Sequence, residues 1–483
     1  MLSFRGELLQ TVPVTIPPTP KSPETNRFAD YEPFVGSLRD LAGRAVKGTP
    51  TATEVAAALD GAANQALATL VERSIRRNAG AYFTSSAWRD QLDALLPKKI
   101  IGTWLDPACG AGDLLLCVAQ RLAIEDSLRA TLTSWGSQLY GTDLEPEFVE
   151  ATRLRLLVCA ASRFRAVHPN APTERINNKT IFPNVQVGDG LVALRQAVSL
   201  QGIIMNPPFI TQNAPKGTLW GSGGVSSAAV FLHDAVGQNH GSTVIAILPD
   251  VIRTGSRYGH LRREVQSRLT SGRVVATGIF GPDADIDVFV LAGKIAKAQT
   301  SFELQWWPQR PSSSRPLADF ADVSVGSVVD NRDAHEGPER PYLTARALGR
   351  QKVINSIERR RQSDKTVVTP PFIVLRRTSR PEKDGRPLAP VLVVANVPVS
   401  VDNHLLIVLP HDRSEVGCQR IITALTSSEA SRWIDERIRC RHLTTRAIAE
   451  LPVPADVFEQ EGQHADAESE DRRAPCSPRA PHV

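Results

Sequence analysis

The stretch WLDPACGAGDLLL, residues 104–116, joins a short apolar run to a glycine-rich turn and then to a second apolar run. The first run predicts the end of a buried strand, and the second predicts the start of a helix. Asp106 stands at the predicted strand end, and Gly110 and Gly112 lie in the turn. Glycine lets the backbone approach a ligand closely, but the turn contains only GxG and not the full GxGxxG pattern of pyrophosphate loops. Alone, such a turn is more often a tight strand-to-helix connection than a ligand site.

The sequence on both sides of this turn alternates between strand-like and helix-like segments. Strands alternating with helices predict βαβ units, a mostly parallel sheet and helices on both of its faces. Two later runs, RVVATGIFG and IDVFVLAGK, are separated by PDAD and predict a hairpin that closes the sheet. The predicted fold class is therefore α/β, with a Rossmann-like first domain. The strand-like runs are IIGTWLDP, SQLYGTDL, NVQVGDG, GIIMNPPF and STVIAILP, and the helix-like runs are GDLLLCVAQRLAIED, PEFVEATRLRLLVCAASRF, LVALRQAV and AAVFLHDAVGQN.

Acidic residues stand at the ends of three successive predicted strands. Asp106 ends the first, Asp143 ends the second in YGTDLEP, and Asp189 ends the third in VGDGL. Ligands of open α/β sheets bind beyond the carboxyl ends of the strands, where an acidic residue can accept hydrogen bonds from ribose hydroxyls. Each aspartate taken alone is more often a turn residue or a helix cap. Together with the glycines, the three aspartates predict a nucleoside ligand.

The fourth predicted strand ends in IIMNPPF, residues 203–209. The exocyclic amine of adenine is a poor nucleophile because its lone pair is delocalised into the ring. Two acceptors aimed at its hydrogens, the side-chain oxygen of Asn206 and the carbonyl of Pro207, would localise that lone pair. Proline fixes φ and holds the carbonyl in place, and the ring of Phe209 offers a face on which a base can stack. Asn-Pro and Pro-Pro are also ordinary turn residues, but their place at this edge favours positioning and polarisation of an amine.

The motifs DPACGAG and NPPF resemble those of the adenine-N6 DNA methyltransferases, which use S-adenosylmethionine. Upstream, RRNAGAYFTSSAWRDQLDALL is similar to the additional cofactor motif of that family, although Ser85 stands where proline is usual. A cofactor motif, then a catalytic motif, then a large C-terminal region is the order of the gamma group. The resemblance covers residues 70–300 well, and VSVDNHLLIVLP and RHLTTRAIAELPVP resemble target-recognition domains more loosely.

This resemblance implies a Rossmann-like methyltransferase domain with a mostly parallel sheet, followed by a mixed α+β target-recognition domain. It implies S-adenosylmethionine as cofactor, no metal, and methyl transfer to the N6 amine of an adenine flipped out of double-stranded DNA. The implied catalytic residues are Asn206, Pro207, Pro208 and Phe209, and the implied cofactor-binding residues are Tyr82, Thr84, Asp106, Pro107, Ala108, Gly110, Gly112, Asp143 and Asp189. Of these, Asp106 and Gly110 would hold the methionine end, Asp143 the ribose and Asp189 the adenine ring.

Changes in composition predict four segments. Residues 1–35 contain PPTPKSPE and are predicted to be a disordered or extended arm, and residues 456–483 are predicted to be a disordered tail. Residues 36–300 are assigned to the methyltransferase domain with N-terminal helices, since alanine and leucine recur at helical spacing between Val35 and Asn78. Residues 301–455 are assigned to the DNA target-recognition domain.

Basic clusters after the catalytic motif predict a nucleic-acid footprint. From Arg340 to Arg386 the chain has thirteen Lys or Arg and four Asp or Glu, a local net charge of +9, while the whole chain carries only +5. Phosphate contacts supply most non-specific affinity for DNA, although a single basic run is more often a solvated surface. The run KGTLWGSGGVSS after NPPF is a candidate lid over the flipped base, or else a plain surface loop.

The remaining composition limits other classes of function. The six cysteines include no CxxC pair, so no zinc site is expected, and their spacing suggests no disulfide framework, which fits a reducing cytoplasm. No apolar run reaches the ~18 residues of a membrane span, and no secretory signal is recognised, so a cytoplasmic protein without membrane contact is expected. No nuclease constellation of paired acids and a lysine is found. A cognate restriction nuclease, in the restriction-modification or phage-defence setting expected for the family, would be encoded separately.

Two other functions stay open on sequence alone. Methyltransferases of a protein glutamine or of structural RNA share an NPP-aromatic motif, because an amide or a ring amine poses the same problem of a weak nucleophile. They usually lack a long basic C-terminal domain. The second alternative is a DNA-recognition module with a decayed catalytic fold, and the intact DPACGAG and NPPF motifs argue against it.

Overall fold

A computed structural model describes residues 27–454 of the protein, apart from residues 83, 85, 178–179, 198, 222, 282–285, 379–386 and 440–441. The chain divides into two units, the first ending at Trp306 and the second beginning at Trp307. Residues 1–26 of the predicted arm and the predicted tail 456–483 lie outside the described residues. No helix in the described part of the chain is both long and apolar enough to cross a membrane.

The first unit is built on a seven-stranded sheet. Its strands, together with a separate hairpin of β5 and β6, are β1 (Trp104–Asp106), β2 (Leu139–Asp143), β3 (Val185–Val187), β4 (Gly202–Met205), β5 (Thr211–Asn213), β6 (Gly224–Ser226), β7 (Thr243–Pro249), β8 (Leu269–Ile279) and β9 (Asp287–Ile295). The strand order is β3-β2-β1-β4-β7-β9-β8, and the pairs from β3 to β7 are parallel. Strands β4 and β7 are apolar along nearly their whole length, as expected for parallel strands that are covered on both faces.

Two antiparallel strands close the sheet beyond β7. Strand β9 pairs antiparallel with both β7 and β8. Strands β8 and β9 form the hairpin that the sequence predicts from RVVATGIFG and IDVFVLAGK. The sheet is mostly parallel and is flanked by helices, so the predicted α/β fold class with a Rossmann-like first domain is confirmed.

Helices precede the sheet and connect its strands. They are α1 (Glu32–Lys47), α2 (Ala52–Leu59), α3 (Ala62–Leu70), α4 (Arg73–Ala79), α5 (Ser86–Asp93), α6 (Asp113–Ala119), α7 (Leu128–Gln138), α8 (Pro146–Val167), α9 (Gly190–Gln196), α10 (Ser227–Gln238), α11 (Asp250–Thr254) and α12 (Gly259–Ser267). Helices α1 to α4 confirm the helices predicted between Val35 and Asn78. Helix α7 is not predicted from the sequence, because its many polar residues obscure the helical spacing of its buried residues, which include Trp135. Its start is set by Ser127, whose side chain accepts a hydrogen bond from the backbone nitrogen of Ala130 at 3.0 Å.

The structure corrects the end of the predicted N-terminal arm. A short 3-10 helix spans Ala29–Tyr31 and α1 follows it directly, so residues 29–35 are helical where the sequence predicts an extended chain. Phe28 and Tyr31 are fully buried. Both rings pack on Phe148 of α8, with centroids 4.6 and 5.3 Å away. These aromatic rings bury enough apolar surface to anchor a segment whose average composition is polar.

The second unit is a mixed α+β structure, as the sequence predicts. Its strands are β10 (Ser314–Pro316), β11 (Ala321–Val325), β12 (Glu339–Leu343), β13 (Val353–Ile354), β14 (Arg360–Gln362), β15 (Phe372–Arg376), β16 (Val391–Val393), β17 (Ser400–Val401), β18 (Leu405–Pro410) and β19 (Pro452–Pro454), and its helices are α13 (Glu415–Leu425), α14 (Ser428–Arg437) and α15 (Thr445–Ala449). A five-stranded sheet has the order β11-β18-β15-β16-β13, and β14-β12-β17 form a smaller one. The three helices and the larger sheet share one apolar core.

Candidate functional site

The loops after β1, β2, β3 and β4 meet at the carboxyl edge of the sheet and enclose a cavity of about 240 Å³. The strand order reverses between β1 and β4, and such a switch point is where open α/β sheets bind ligands. Thr84, Asp106, Gly112, Pro207 and Phe209 belong to the same segments of chain but not to the lining. The predicted site residues that line the cavity are Tyr82, Pro107, Ala108, Gly110, Asp143, Asp189, Asn206 and Pro208.

The glycine turn after β1 is shaped by contacts behind it. Gly112 has a φ of 88°, and a Cβ there would lie 2.9 Å from Cγ2 of Thr152, so a larger residue would be strained. Asp106 is almost fully buried, and its Oδ1 accepts a hydrogen bond from the backbone nitrogen of Ala108 at 3.1 Å. Burial raises the pKa of Asp106 to about 8. Both predicted residues therefore support the turn from behind its lining face.

Asp143 at the end of β2 places its carboxylate in the cavity wall. Its Oδ2 accepts a hydrogen bond from the backbone nitrogen of Gly110 at 2.9 Å, and its Oδ1 accepts one from that of Glu145 at 3.0 Å. A carboxylate oxygen has a second lone pair, so each oxygen can still accept a hydrogen bond from a ligand hydroxyl. Burial raises the pKa of Asp143 to about 6, and the two backbone N–H groups limit that shift.

Asp189 caps a helix and also lines the cavity. Its Oδ1 accepts a hydrogen bond from the backbone nitrogen of Leu191 at 2.8 Å and so caps α9, and the residue also lines the cavity. A Cβ on the next residue, Gly190, would lie 1.8 Å from the carbonyl oxygen of Pro107. Glycine at this position therefore lets the loops after β1 and β3 touch, which brings Asp189 to the cavity.

The side-chain amide of Asn206 has a defined orientation. Its Nδ2 donates to the backbone carbonyl of Tyr82 at 3.1 Å and to Oγ1 of Thr84 at 3.3 Å. A backbone carbonyl can only accept, so the amide nitrogen and not the oxygen must face Tyr82. Oδ1 is buried, and no group of the described residues donates a hydrogen bond to it. The cavity wall thus contains a buried acceptor that is open to a donor from a ligand.

Gly80 brings the Tyr82 segment against the NPPF turn. Its φ is 65°, and a Cβ there would lie 2.9 Å from Cγ2 of Ile210 and 3.0 Å from Cβ of Pro208. This close approach allows Thr84, which is buried, to reach the amide of Asn206. The sequence predicts Thr84 as a cofactor residue, but in the structure it lies outside the cavity lining and accepts a hydrogen bond from the amide of Asn206.

Phe209 has a braced ring. It is half-buried and meets Phe280 edge to face, with centroids 5.4 Å apart and an interplanar angle of 82°. Phe280 is held by Trp88, whose Nε1 donates to the backbone carbonyl of Phe280 at 2.9 Å. Pro207, the residue after Asn206, is buried. The ring of Phe209 therefore has a fixed orientation and keeps part of its surface accessible.

The cavity also has an apolar wall that the sequence does not predict. This wall lies next to the carboxylates, and such a mixture of apolar and a few polar groups is typical of small-molecule sites. Leu144 and Glu145 follow Asp143 directly, so their position could have been inferred from it. Phe28 belongs to no recognisable motif. The only sequence signal for its role is that it is an aromatic residue at the end of a polar arm. The apolar residues of this wall are Phe28, Leu144, Phe148 and Phe231, and the charged residues Arg27 and Glu145 also belong to the lining.

A buried arginine on α8 holds the glycine turn from the inside. Arg155 has no exposed surface, and its Nη1 donates to the carbonyl of Ala111 at 2.5 Å. Its Nη2 binds Oδ1 of Asp113 at 2.9 Å, and its Nε donates to the carbonyl of Ala58 in α2 at 3.0 Å. One side chain therefore joins the N-terminal helices to the turn, although nothing in the surrounding sequence marks it.

The glycine-rich segment after NPPF forms a small hairpin. Strands β5 and β6 pair antiparallel, and Trp220 between them is only 3% exposed. Its ring centroid lies 5.7 Å from that of His233 and 6.3 Å from that of Tyr258. The hairpin is thus anchored by Trp220, and its role as a lid stays a prediction.

Part of the basic run in the second unit is turned inward. Arg361 is only 4% exposed; it binds the carboxylate of Asp330, and its Nη2 donates to the carbonyl of Asp333 at 2.6 Å. Arg359 also pairs with Asp330, at 3.1 Å, and Arg360 pairs with Glu339 at 3.0 Å. The local net charge therefore overstates the charge that faces solvent. Among the described residues of the run, the exposed basic residues are Arg346, Arg350, Lys352, Arg359, Arg360, Lys365 and Arg376.

Comparison with known proteins shows similarity in fold. No protein-family model matches the sequence, and no curated protein is significantly similar to it. The Type IIL restriction-modification enzyme MmeI, solved in complex with DNA, matches with a TM-score of 0.52 at 14% identity, over 80% of this chain and 70% of that chain. The type IIG restriction endonuclease BpuSI gives a TM-score of 0.40 at 13% identity, over 83% and 62%. The M protein of the type I restriction enzyme EcoKI gives 0.34 at 14% identity, over 56% and 65%.

Proposed function

We propose that this chain is an S-adenosylmethionine-dependent DNA methyltransferase that modifies the N6 amine of adenine. The observation that carries the proposal is the oriented amide of Asn206, whose buried Oδ1 receives no hydrogen bond from the described residues. An amine hydrogen of a flipped adenine is a donor that fits this acceptor. The fold shared with MmeI, a restriction-modification enzyme solved with DNA, supports the proposal by analogy.

The lining of the cavity fits S-adenosylmethionine. Asp143 would accept hydrogen bonds from the ribose hydroxyls, because both of its oxygens keep a lone pair beyond their backbone contacts. Asp189 and the apolar wall with Phe28 would hold the adenine ring, and Tyr82 and Gly110 would lie at the methionine end. The cofactor would supply an electrophilic methyl group. The protein would bind it, orient it and exclude water from it.

The contribution of the protein to the target amine is positioning and polarisation. Oδ1 of Asn206 and the carbonyl of Pro207 would accept the two amine hydrogens, which draws the nitrogen toward tetrahedral geometry and localises its lone pair. Acceptors that are already oriented need no reorganisation during the reaction. Thr84 and the carbonyl of Tyr82 prevent the amide from rotating. Phe209, braced by Phe280, would stack on the flipped base.

Target recognition is proposed for residues 301–455, nearly all of which belong to the second unit, which begins at Trp307. Its exposed basic residues, among them Arg346 and Arg350, would contact DNA phosphates. Phosphate contacts set the position of a protein on the duplex, whereas base contacts set its specificity. A restriction-modification or phage-defence setting, with a cognate nuclease encoded separately, belongs to the same proposal.

The class of molecule that receives the methyl group, DNA, RNA or protein, decides between this function and its alternatives. The purified chain would be incubated with methyl-labelled S-adenosylmethionine and a mixture of unmethylated duplex DNA, ribosomal RNA and a protein extract. We expect label in DNA alone, and none in a matched reaction with Asn206→Ala. Label in RNA or in protein glutamine would favour the other methyltransferases. Failure of the wild-type chain to bind the cofactor in calorimetry would indicate a decayed fold.

A further inference from the structure

The first described residues of the chain form part of the cavity wall, although the sequence predicts an extended arm there. Arg27 and Phe28 line the cavity together with Glu145 and Phe148, which lie at the start of α8. We call these four residues the clasp. Segments far apart in sequence meet in it, because 118 positions separate Arg27 from Glu145.

Two contacts close the clasp. The guanidinium of Arg27 binds Oε1 of Glu145 through Nη2 at 2.5 Å and through Nε at 3.1 Å. The ring centroids of Phe28 and Phe148 lie 4.6 Å apart, with an interplanar angle of 57°. Phe28 is fully buried, whereas 43% of the Arg27 side chain is exposed. The clasp therefore has an apolar inner layer and an ion pair next to solvent.

The clasp lies at the nucleoside end of the cavity. The backbone nitrogen of Glu145 donates to Oδ1 of Asp143 at 3.0 Å, and Asp143 is the proposed ribose acceptor. The same residue thus contacts the ribose acceptor through its backbone and Arg27 through its side chain. We propose that the clasp retains the nucleoside part of S-adenosylmethionine and limits the rate at which cofactor and product exchange. This inference rests on the proposed function, from which it takes the cofactor.

A second ion pair between the same parts of the chain provides a matched control. Arg39 of α1 binds Glu150 of α8 at 2.6 and 2.9 Å, and their side chains are 42% and 43% exposed. Neither residue lines the cavity. The two pairs therefore attach the N-terminal segment to α8 in a similar way, but only the pair of Arg27 lies in the cavity wall.

Cofactor dissociation measures the clasp directly. The full chain would be loaded with S-adenosylhomocysteine, and its release would be followed by tryptophan fluorescence after mixing with excess S-adenosylmethionine. We expect Arg27→Ala and Glu145→Gln each to accelerate release roughly two- to fivefold, the range that a partly exposed ion pair supports. The double variant should be no faster than either single variant, because both changes remove the same pair. Arg39→Ala should release the ligand at the wild-type rate.

The salt dependence of the release rate tests the clasp independently. Raising the salt concentration from about 0.05 to 0.5 M should accelerate release from the wild type and leave the double variant almost unchanged, because salt screens the exposed pair. Wild-type rates in both single variants, or equal acceleration by Arg39→Ala, would overturn the clasp while leaving the proposed function intact. A wild-type chain that binds neither ligand would overturn the proposed function and the clasp together.

Discussion

Two buried arginines, one in each unit, show two ways in which this protein uses a cation. Arg155 in the first unit bonds to the carbonyl of Ala111 and to Asp113, so it supports the turn that lines the cavity. Arg361 in the second unit bonds to Asp330 and lies over the ring of Tyr342, with its Cζ 5.7 Å from the ring centroid. Arg155 lies in an unremarkable helix and supports the site, whereas Arg361 lies in the basic run and is turned away from solvent. The position of a charge in the sequence therefore does not tell whether that charge is available to a partner.

The two units also differ in how their polar groups converge. In the first unit, parallel strands end at one edge, so residues that end β1, β2 and β4 gather there whatever their distance in sequence. In the described part of the second unit, the strands form separate sheets with both antiparallel and parallel pairs, so their carboxyl ends do not share one edge. A ligand site in the first unit can be inferred from the residues at the ends of its strands. A recognition surface in the second unit must be inferred from the solvent exposure of its side chains.

The largest effect is expected when Arg155 is removed. Arg155→Met should lower the free energy of unfolding of the first unit by about 3–5 kcal/mol, because it leaves the buried carboxylate of Asp113 without its partner. Urea denaturation followed by tryptophan fluorescence measures this loss. Arg39→Met, which removes the exposed pairs with Glu32 and Glu150, should lose less than about 1 kcal/mol. Equal small losses in both variants would mean that Arg155 does not hold the turn.

The next effect concerns the amide in the cavity. Asn206→Ala should lower kcat for methyl transfer to DNA by about 100- to 1000-fold, because one oriented acceptor is lost in the transition state. The affinity for S-adenosylmethionine should change little, and steady-state kinetics together with calorimetry separate the two quantities. Asn213→Ala, a change in the neighbouring hairpin, is the control and should keep most of the activity. A kcat for Asn206→Ala close to the wild-type value would contradict the assignment.

A smaller effect is expected at the proposed ribose acceptor. Asp143→Asn should weaken S-adenosylmethionine binding by about 1.5–3 kcal/mol, the contribution of hydrogen bonds to a charged group. Because burial raises the pKa of Asp143 to about 6, wild-type affinity should increase as the pH rises through about 6 and the carboxylate ionises. The variant should show no such increase. Calorimetry from about pH 5 to about pH 8, roughly one unit below to two units above that pKa, checks both results. A pH profile shared by the two proteins would exclude this role.

The smallest effect tests the second unit. Arg346→Gln and Arg350→Gln should each reduce the slope of log affinity against log salt for duplex DNA by about 1, since each exposed cation would neutralise one phosphate. Arg361→Met should leave the slope unchanged, because that side chain is buried and paired. Fluorescence anisotropy with a labelled duplex measures the slopes. A reduced slope for folded Arg361→Met would show that the inward-facing arginine contacts DNA after all.

Much of the first unit could be predicted from the sequence, for a physical reason. Asp106, Asp143, Asp189 and Asn206 each follow a short apolar run, and parallel strands with helical crossovers place their carboxyl ends together. The sequence also predicts the closing hairpin of β8 and β9. The roles of these residues could not be separated in the same way. Asp106 and Asp143 both end a strand, but only the packing of the turn shows that Asp106 lies behind the cavity lining.

The residues that sequence reasoning missed act over long distances along the chain. Arg155 and Ala58 are 97 positions apart, and Phe28 and Phe148 come from an arm and a helix. Hydrophobic periodicity and local composition describe residues that are close together in the sequence. Contacts between distant segments therefore leave no signal in them. The contact of Thr84 with the amide of Asn206 is hidden for the same reason, because it depends on the approach of Gly80 to the NPPF turn.

The identity of the methylated nucleoside decides whether this chain methylates the N6 amine of adenine in DNA. Unmethylated duplex DNA would be incubated with the purified chain and S-adenosylmethionine, digested to nucleosides and analysed by mass spectrometry, with Asn206→Ala as the matched control. We expect N6-methyldeoxyadenosine as the product of the wild type and at most a trace of it from the variant. Methylcytosine as the product, or as much N6-methyldeoxyadenosine from Asn206→Ala as from the wild type, would contradict this expectation.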